Sequence, residues 1–239
     1  MNTTCILFDM DGTLLPMDAD TFARTYFKLL TKKLLPHGYE PDDVINGINA
    51  GITAMQPNDG SHTNAEVFWR RFAEVAGERV LEDRALFDEF YAIEFQRISS
   101  SCGCTPLAKQ TVALCKDLGY RVAVATEPIF PLVAMESRLR WAGVDPASVE
   151  FITSYETSTY CKPYPGYFRE VAARLGVAPE ECAMVGNDVG EDMPAEAAGM
   201  KVFLLTDCLI NKKDEDINRW PHGDYGRLQS WLRSLNDEA

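Results

Sequence analysis

Two carboxylates stand two residues apart, at Asp9 and Asp11, where an apolar run gives way to a glycine. A carboxylate at the end of a strand can act as a nucleophile or a metal ligand, and a second one nearby can give a proton to a leaving group. Gly12 lets the backbone approach an anion closely. Asp-Gly is also a common turn dipeptide. By itself the pattern is typical either of a turn or of phosphoryl-transfer chemistry.

Three further polar signals each follow a strand-like apolar run. Thr126 comes directly after the first of these runs, and its hydroxyl can donate to a phosphoryl oxygen. Lys162 supplies a cation, and Pro163 keeps it out of a helix interior because the residue before proline avoids the helical region. An acidic loop at 187–192 contains Asp188 and suits a hard cation. Each signal alone fits an ordinary surface or strand-end residue, but the four together favour a phosphoryl-transfer site.

In this order of nucleophile, hydroxyl, lysine and acidic loop, the chain resembles the haloacid dehalogenase-like (HAD) hydrolase superfamily, in its phosphatase type. The resemblance covers residues 5–8 onward and 121–207, but not the details of 17–100. It implies that Asp9 attacks phosphorus to form an aspartyl-phosphate, and that Asp11 protonates the leaving oxygen and later deprotonates water. It also implies that Gly12, Thr126 and Lys162 bind the phosphoryl group.

The resemblance further implies Mg²⁺ as cofactor, held by Asp9, Asp188 and the backbone carbonyl of Asp11. Asp192 has two open roles, because it can bind the metal through water or fix Lys162. One position departs from the family, which often has Asn after the threonine where this chain has Glu127. We therefore expect no substrate hydrogen bond from Glu127 and a side chain that faces away from the phosphate.

Asp11 also distinguishes reactions within the superfamily. Haloacid dehalogenases lack a carboxylate two residues after the nucleophile, because a halide leaves without a proton. Phosphonatases normally lack it as well and use a cap lysine, for which Lys28, Lys32 or Lys33 would have to serve. The presence of Asp11 therefore favours phosphate esters.

Strand and helix patterns alternate along most of the chain, which predicts an α/β fold with an open, doubly wound, Rossmann-like parallel sheet. All four signals fall at carboxyl ends of predicted strands, where such sheets bind ligands. The predicted strands lie at 4–8, 121–125, 150–153, 182–185 and 202–205, and the predicted helices at 106–118, 131–142, 166–175 and 224–235.

Residues 17–100 break this alternation and contain only helical patterns. Thr63 to Glu66 reads as a capping box, and apolar residues at three- and four-residue steps continue to a helix predicted at about 80–98. We predict an inserted all-helical cap at 17–100, which matches the superfamily's C1 cap, on a core formed by 1–16 and 101–239. The polar loop 56–64 provides cap candidates for substrate contact, Asn58 and Asp59, although a turn and a helix cap explain this loop equally well.

Composition limits the classes of partner. The chain has 239 residues, of which 46% are hydrophobic, and a net charge of -13. This acidity argues against nucleic acid, which requires a basic surface, and favours a small phosphorylated substrate. No apolar run spans a bilayer and no secretory signal is visible, so we expect no membrane partner and a cytoplasmic protein. The seven scattered cysteines predict reduced thiols.

The sequence therefore predicts a hydrolase: a Mg²⁺-dependent phosphohydrolase that cleaves a small phosphorylated metabolite. Two alternatives remain open. A phosphomutase of the sugar-phosphate type would use the same four signals, and only its products would distinguish it. A non-catalytic protein that binds a phosphorylated ligand or a protein partner is the other, although such a protein would not need both Asp9 and Asp11. The sequence leaves the oligomeric state open.

Overall fold

The computed structural model describes residues 2–237, with side chains up to Leu235, and contains one five-stranded parallel sheet. Its strands are β1 Cys5–Phe8, β2 Arg121–Val124, β3 Cys182–Gly186, β4 Lys201–Leu205 and β5 His222–Gly223. They lie in the order β2-β1-β3-β4-β5, so β1 is central and pairs with both β2 and β3. The predicted α/β doubly wound sheet is confirmed.

Helices cover both faces of the sheet, which explains why every residue of β1 is fully buried. Ile6 and Phe8 point into one apolar layer, whereas Cys5 and Leu7 point into the other. This alternation follows from the two-residue period of a strand. Strands that are apolar on both faces are typical of parallel sheets.

The helices of the α/β part lie close to their predicted positions. Thr105 caps the first of them through its side chain, which accepts a hydrogen bond from the N–H of Leu107, and Pro106 occupies its first turn. The cap satisfies one of the free N–H groups at the helix start. Five helices of residues 19–92, α1 to α5, precede them in the chain. The helices of the α/β part are α6 Pro106–Asp117, α7 Leu132–Trp141, α8 Pro165–Leu175 and α9 Tyr225–Asp237.

Residues 19–101 are entirely helical, apart from the connections. The predicted capping box is present, since the Thr63 hydroxyl accepts from the N–H of Glu66 and the Glu66 carboxylate accepts from the N–H of Thr63. The helices are α1 Ala19–Leu34, α2 Pro41–Met55, α3 Asn64–Ala76, α4 Arg79–Glu82 and α5 Arg84–Ala92, followed by a 3₁₀ segment at Phe95–Ser101. The division into cap and core domains remains a prediction.

Two element predictions were wrong in detail. The single helix expected at 80–98 is broken at Asp83 and again after Ala92, because apolar side chains from each piece, such as Val80, Phe87 and Phe95, turn into one shared core. The strand expected at 150–153 is reduced to one bridge between Val124 and Ile152, since the chain turns away at Ser154. Neither change moves a predicted catalytic residue.

The helical insert is closely joined to the α/β part. The buried side chain of Asn64 donates to the Tyr160 carbonyl at 3.1 Å, and the Asn64 N–H donates to the Ser158 carbonyl at 2.8 Å. Within residues 2–237, no helix is both long and apolar enough to cross a bilayer. All seven cysteines are free, as expected.

Candidate active site

Four predicted residues meet at the carboxyl edge of the sheet. Asp9 follows β1, Thr126 lies just beyond β2, and Asp188 follows β3, while Lys162 reaches the same place from the loop before α8. All four line one cavity of about 440 Å³. The convergence follows from the parallel sheet, because neighbouring strands end at the same edge.

Lys162 is held between two carboxylates. Its Nζ donates to Asp9 Oδ1 at 2.9 Å and to Asp192 Oδ1 at 2.6 Å, and its side chain is only 1% exposed. Burial alone would lower the pKa of Lys162, but Asp192 and Asp9 outweigh it and hold this pKa well above its usual range. Burial raises the pKa of Asp192 to about 7 despite the neighbouring lysine, and nearby Asp9 adds to the rise. One cation between two carboxylates leaves one negative charge uncompensated.

Of the two roles left open for Asp192, the structure supports the fixing of Lys162. Its second oxygen, Oδ2, accepts the backbone N–H of Asp188 at 2.9 Å, so both oxygens are engaged. Gly186 makes this position possible, because a Cβ there would lie 2.1 Å from the Asp192 carboxyl carbon. Asp192 thus joins Lys162 to the start of the acidic loop.

Asp11 faces the same cavity but forms an ion pair with Arg138 of α7. The Arg138 side chain is only 1% exposed and lies over the rings of Phe22 and Phe130, with its guanidinium carbon 5.0 and 5.2 Å from the ring centres. Burial raises the pKa of Asp11, while Arg138 acts against that rise. A raised pKa suits a carboxyl group that must carry a proton.

Gly12 shapes the loop after β1. Its φ is +81°, and a Cβ there would lie 2.4 Å from Asn187 Nδ2. Its own N–H donates to the Leu15 carbonyl at 2.8 Å and is therefore already used within the turn. Within residues 2–237, the N–H groups of Met10 and Asp11 donate to no acceptor. Both groups are free to bind an anion, whereas the predicted phosphate-binding role of Gly12 itself stays a prediction.

The backbone of Thr126 is fixed by two buried hydroxyls. The Tyr167 hydroxyl and the Thr153 hydroxyl each donate to the Thr126 carbonyl at 2.7 Å, and Thr153 Oγ1 also accepts the Thr126 N–H at 3.0 Å. With its backbone engaged on this side, Thr126 lines the cavity beside Lys162.

Glu127 does not face away as expected. It lines the cavity, and its Oε2 accepts the backbone N–H of Lys162 at 2.9 Å. Burial, and then the charge of Glu191, raise the pKa of Glu127 to about 7. Glu127 thus positions the loop that carries Lys162.

This pKa predicts a pH-dependent stability. Folded protein without divalent cations keeps a proton on Glu127 that the unfolded chain loses above pH 4.5, so the free energy of unfolding falls as pH rises to about 7. Glu127→Gln stays neutral and should be more stable than the parent by about 3 kcal/mol above pH 7, and by nothing at pH 4. Urea unfolding in EDTA from pH 4 to 8 measures this, with the exposed Glu180→Gln as control. Parallel curves for parent and Glu127→Gln would contradict it.

The acidic loop provides oxygen ligands for a cation. Asp188 Oδ1 accepts the N–H groups of Gly190 and Glu191, which fixes the carboxylate at the cavity wall. The charged residues that line the cavity are Asp9, Asp11, Glu127, Asp188, Glu191, Asp192, Lys162 and Lys212. Six acids thus face two bases, and the resulting excess of negative charge suits a divalent cation.

The predicted Mg²⁺ ligands fit this arrangement. Within residues 2–237, no three Asp, Glu, His or Cys side chains form a complete metal cage. Mg²⁺ does not need one, because it keeps several waters and binds through one or two carboxylates together with substrate oxygens. Asp9 and Asp188 provide two carboxylates at one cavity, and the Asp11 carbonyl adds a backbone oxygen.

Asn58 and Asp59 lie outside the site. The Asn58 amide donates to the His62 carbonyl and to Asn64 Oδ1, and the Asp59 carboxylate accepts the N–H of Ser61. Neither residue lines the cavity. The polar loop therefore serves as the turn and helix cap that the sequence also allowed, and the structure does not support its role in substrate contact.

Arg138 and Gln56 were not predicted as site residues, although Gln56 lines the cavity directly after α2. Arg138 had a visible signal, because it falls on the apolar stripe of α7 with Met135, Leu139 and Ala142. A charged residue on a buried helix face requires a partner. Gln56 had no comparable signal.

A family model for haloacid dehalogenase-like hydrolases matches residues 3–199, which include every site residue predicted from the sequence. The chain belongs to this hydrolase family. The match confirms the resemblance that the four polar signals predicted.

Relatives of this HAD-like hydrolase differ widely in length. It is 27% identical over 208 residues to the Arabidopsis thaliana protein SUPPRESSOR OF QUENCHING 1, chloroplastic, a match that covers 86% of this chain but 18% of that protein. It is 32% identical over 100 residues to hexitol phosphatase B of Escherichia coli K12, covering 42% and 44% of the two chains. It is 28% identical over 201 residues to a phosphoglycolate phosphatase of Pectobacterium atrosepticum, covering 84% and 79%. The chain thus spans less than half the length of the first two.

Solved structures confirm the fold of the HAD-like hydrolase. A 2-haloacid dehalogenase from Pseudomonas syringae pv. Tomato superposes with a TM-score of 0.64 at 17% identity, covering 97% of this chain and 99% of that one. A β-phosphoglucomutase from Clostridium difficile gives a TM-score of 0.57 at 15% identity, covering 99% and 98%. Because different reactions share this fold, the reaction must be argued from the site.

Proposed function

We propose that this hydrolase is a Mg²⁺-dependent phosphatase that cleaves a small phosphate monoester through an aspartyl-phosphate. One observation carries the proposal: Asp9, Asp11 and Lys162 face one cavity, with Lys162 bonded to Asp9 Oδ1. Two of the named relatives agree with it, since hexitol phosphatase B and phosphoglycolate phosphatase are named for phosphate esters and both are similar to this chain.

In the first half-reaction, Asp9 attacks the phosphorus. Within residues 2–237 its Oδ2 accepts no hydrogen bond, which leaves this oxygen available as the nucleophile. A bond forms between the Asp9 oxygen and phosphorus, the ester P–O bond breaks, and Asp11 gives its proton to the departing alcohol oxygen.

The second half-reaction releases the enzyme. Asp11 takes a proton from water, the water oxygen bonds to phosphorus, and Asp9 leaves as a carboxylate with inorganic phosphate as product. Lys162, the Thr126 hydroxyl and the free N–H groups of Met10 and Asp11 would bind the phosphoryl oxygens. Mg²⁺, when bound at Asp9 and Asp188, would neutralise phosphoryl charge.

The test is phosphate release from a panel of phosphorylated sugars, alcohols, nucleotides and amino acids, with Mg²⁺ and with EDTA. Metal-dependent release supports the proposal. Conversion of a sugar phosphate into an isomer without free phosphate would establish the phosphomutase instead. Folded protein that binds these esters and turns none of them over would establish the non-catalytic alternative.

Arg138→Met should alter the pH dependence of this reaction. Removal of the cation that opposes the rise in the pKa of Asp11 raises that pKa further, so the basic limb of the kcat/KM profile moves to higher pH. Loss of the ion pair also frees the carboxylate, and we expect kcat to fall about 10- to 100-fold.

The profile of phosphate release against pH checks this, with Arg140→Met as control. Arg140 lies on the same helix but is exposed and pairs with Glu136 at 2.9 Å. A lower kcat with an unmoved basic limb would show that Arg138 acts only on the fold.

A further inference from the structure

A second cavity of about 280 Å³ opens beside the first, between the helical insert and the α/β part. Ten of its nineteen lining residues are aromatic, and they come from α1, α3, α5, the loop before α7 and the segment between α7 and α8. We call this cavity the aromatic chamber, and it is represented by Phe22, Tyr26, Phe68, Trp69, Phe87 and Phe130.

The aromatic chamber adjoins the proposed phosphoryl site. The two cavities share four wall residues, Asp11, Ala19, Ile52 and Ile129. Asp11 is the proposed donor of a proton to the leaving oxygen, so the alcohol part of a substrate begins at this shared wall. The chamber is therefore placed to receive the leaving group.

Charge in the aromatic chamber is already paired. Asp11 and Arg138 are its two charged lining residues, and they bind each other. The hydroxyls are engaged as well, since Tyr26 OH lies 3.0 Å from Tyr91 OH, and Trp69 Nε1 donates to Tyr155 OH at 3.3 Å. Within residues 2–237, Arg138 Nε is a buried donor without an acceptor, and Asn49 is a further polar side chain in the wall. A carboxylate or several hydroxyls on the leaving group would lose more hydrogen bonds with water than these groups replace, which is unfavourable.

The size of the chamber also limits its occupant. A cavity of about 150 Å³ lined by Leu, Ile and Phe is large enough to bind benzene. At about 280 Å³, the aromatic chamber has room for a ring and a short linker. Aromatic walls favour such a ring, because ring pairs gain energy from edge and offset contacts beyond the burial of area.

We propose that the preferred substrate is a phosphate monoester of an apolar alcohol that carries an aromatic ring, with the ring in the aromatic chamber. This inference rests on the proposed phosphatase function and adds the class of leaving group. It separates this chain from enzymes for phosphoglycolate or sugar phosphates, whose leaving groups are charged or rich in hydroxyls.

The experiment compares alkyl phosphates whose leaving alcohols have similar acidity, so that chemical reactivity does not decide the ranking. With Mg²⁺, kcat/KM for 2-phenylethyl phosphate should exceed that for ethyl phosphate about 10- to 100-fold, which is the effect of burying one ring. It should exceed that for glycerol phosphate and phosphoglycolate by at least as much. Equal values for the phenylethyl and ethyl esters would overturn the inference and leave the phosphatase standing.

A cavity-filling variant tests the location of the ring. Ala23 lies in the wall of the aromatic chamber, and Ala23→Leu places three more carbons in the space proposed for the ring. We expect the preference for 2-phenylethyl over ethyl phosphate to fall at least fivefold. Ala173→Leu, at an exposed position of α8, should keep the parent preference. An unchanged preference in folded Ala23→Leu would contradict the assignment.

Binding without turnover separates the two proposals. Trp69 lines the aromatic chamber, so 2-phenylethanol should change the tryptophan fluorescence in a saturable way in the parent and more weakly in Ala23→Leu, whereas ethanol at equal concentration should not. If no ester releases phosphate, the phosphatase proposal fails, but this titration still decides whether the aromatic chamber binds a ring. Absence of a saturable signal from 2-phenylethanol would overturn the assignment of the chamber.

Discussion

Asp9→Asn should abolish phosphate release, with kcat lower by at least about 10⁴-fold. The amide cannot attack phosphorus, so the covalent route is lost while the cavity keeps its shape. Lys162 retains its bond to Asp192 in this variant, which preserves the position of the cation. Steady-state phosphate release with the best ester of the panel measures the effect.

The control for this variant is Asp117→Asn, which makes the same chemical change at an exposed position of α6. It should keep the parent kcat. Intact-mass spectrometry of acid-quenched parent protein should also detect a phosphoryl adduct during turnover, and Asp9→Asn should show none. Residual activity within about tenfold of the parent would exclude Asp9 as the nucleophile.

Lys162→Met should give the largest loss of stability. Lys162 is buried between Asp9 and Asp192, and its removal leaves two carboxylates facing each other without a cation. Breaking a buried ion pair from one side costs about 3–5 kcal/mol of unfolding free energy. Urea unfolding in EDTA at pH 8 measures the loss, with Lys116→Met on the exposed face of α6 as the matched control.

The pH dependence of this loss has a definite sign. The pKa of Asp192 is already about 7 with Lys162 in place, and without the lysine it must rise further. Protonation at lower pH removes part of the uncompensated charge, so the destabilisation should be smaller at pH 5 than at pH 8. A loss that is equal at both values would show that packing around the side chain, rather than charge, is its source.

Much of the candidate site could be predicted from the sequence because three of its polar residues each follow a strand. Asp9, Thr126 and Asp188 each come directly after an apolar run, and the structure places all three on one cavity. Parallel topology makes this possible, since a buried apolar run read from the sequence already fixes which end of the strand faces a ligand. The capping box at Thr63 is equally local and was equally visible.

Contacts between distant segments could not be predicted in this way. The roles of Asp192 and Glu127 depend on their distance from Lys162, and the sequence left the first open and misplaced the second. The break in the helix at Asp83 could not be predicted either. Apolar packing between segments of the insert overrode a helical pattern that is continuous in the sequence.

The sequence by itself determined the family and the parallel α/β sheet, and it pointed to the two carboxylates proposed to react, because these rest on local patterns with a fixed period or spacing. Only the tertiary structure decided which residue supports each of them. Arg138 meets Asp11 across 127 positions of the chain, and residues of five helices line the aromatic chamber. Such pairings depend on how the faces of the helices pack, and residue types spaced along one segment do not encode that packing.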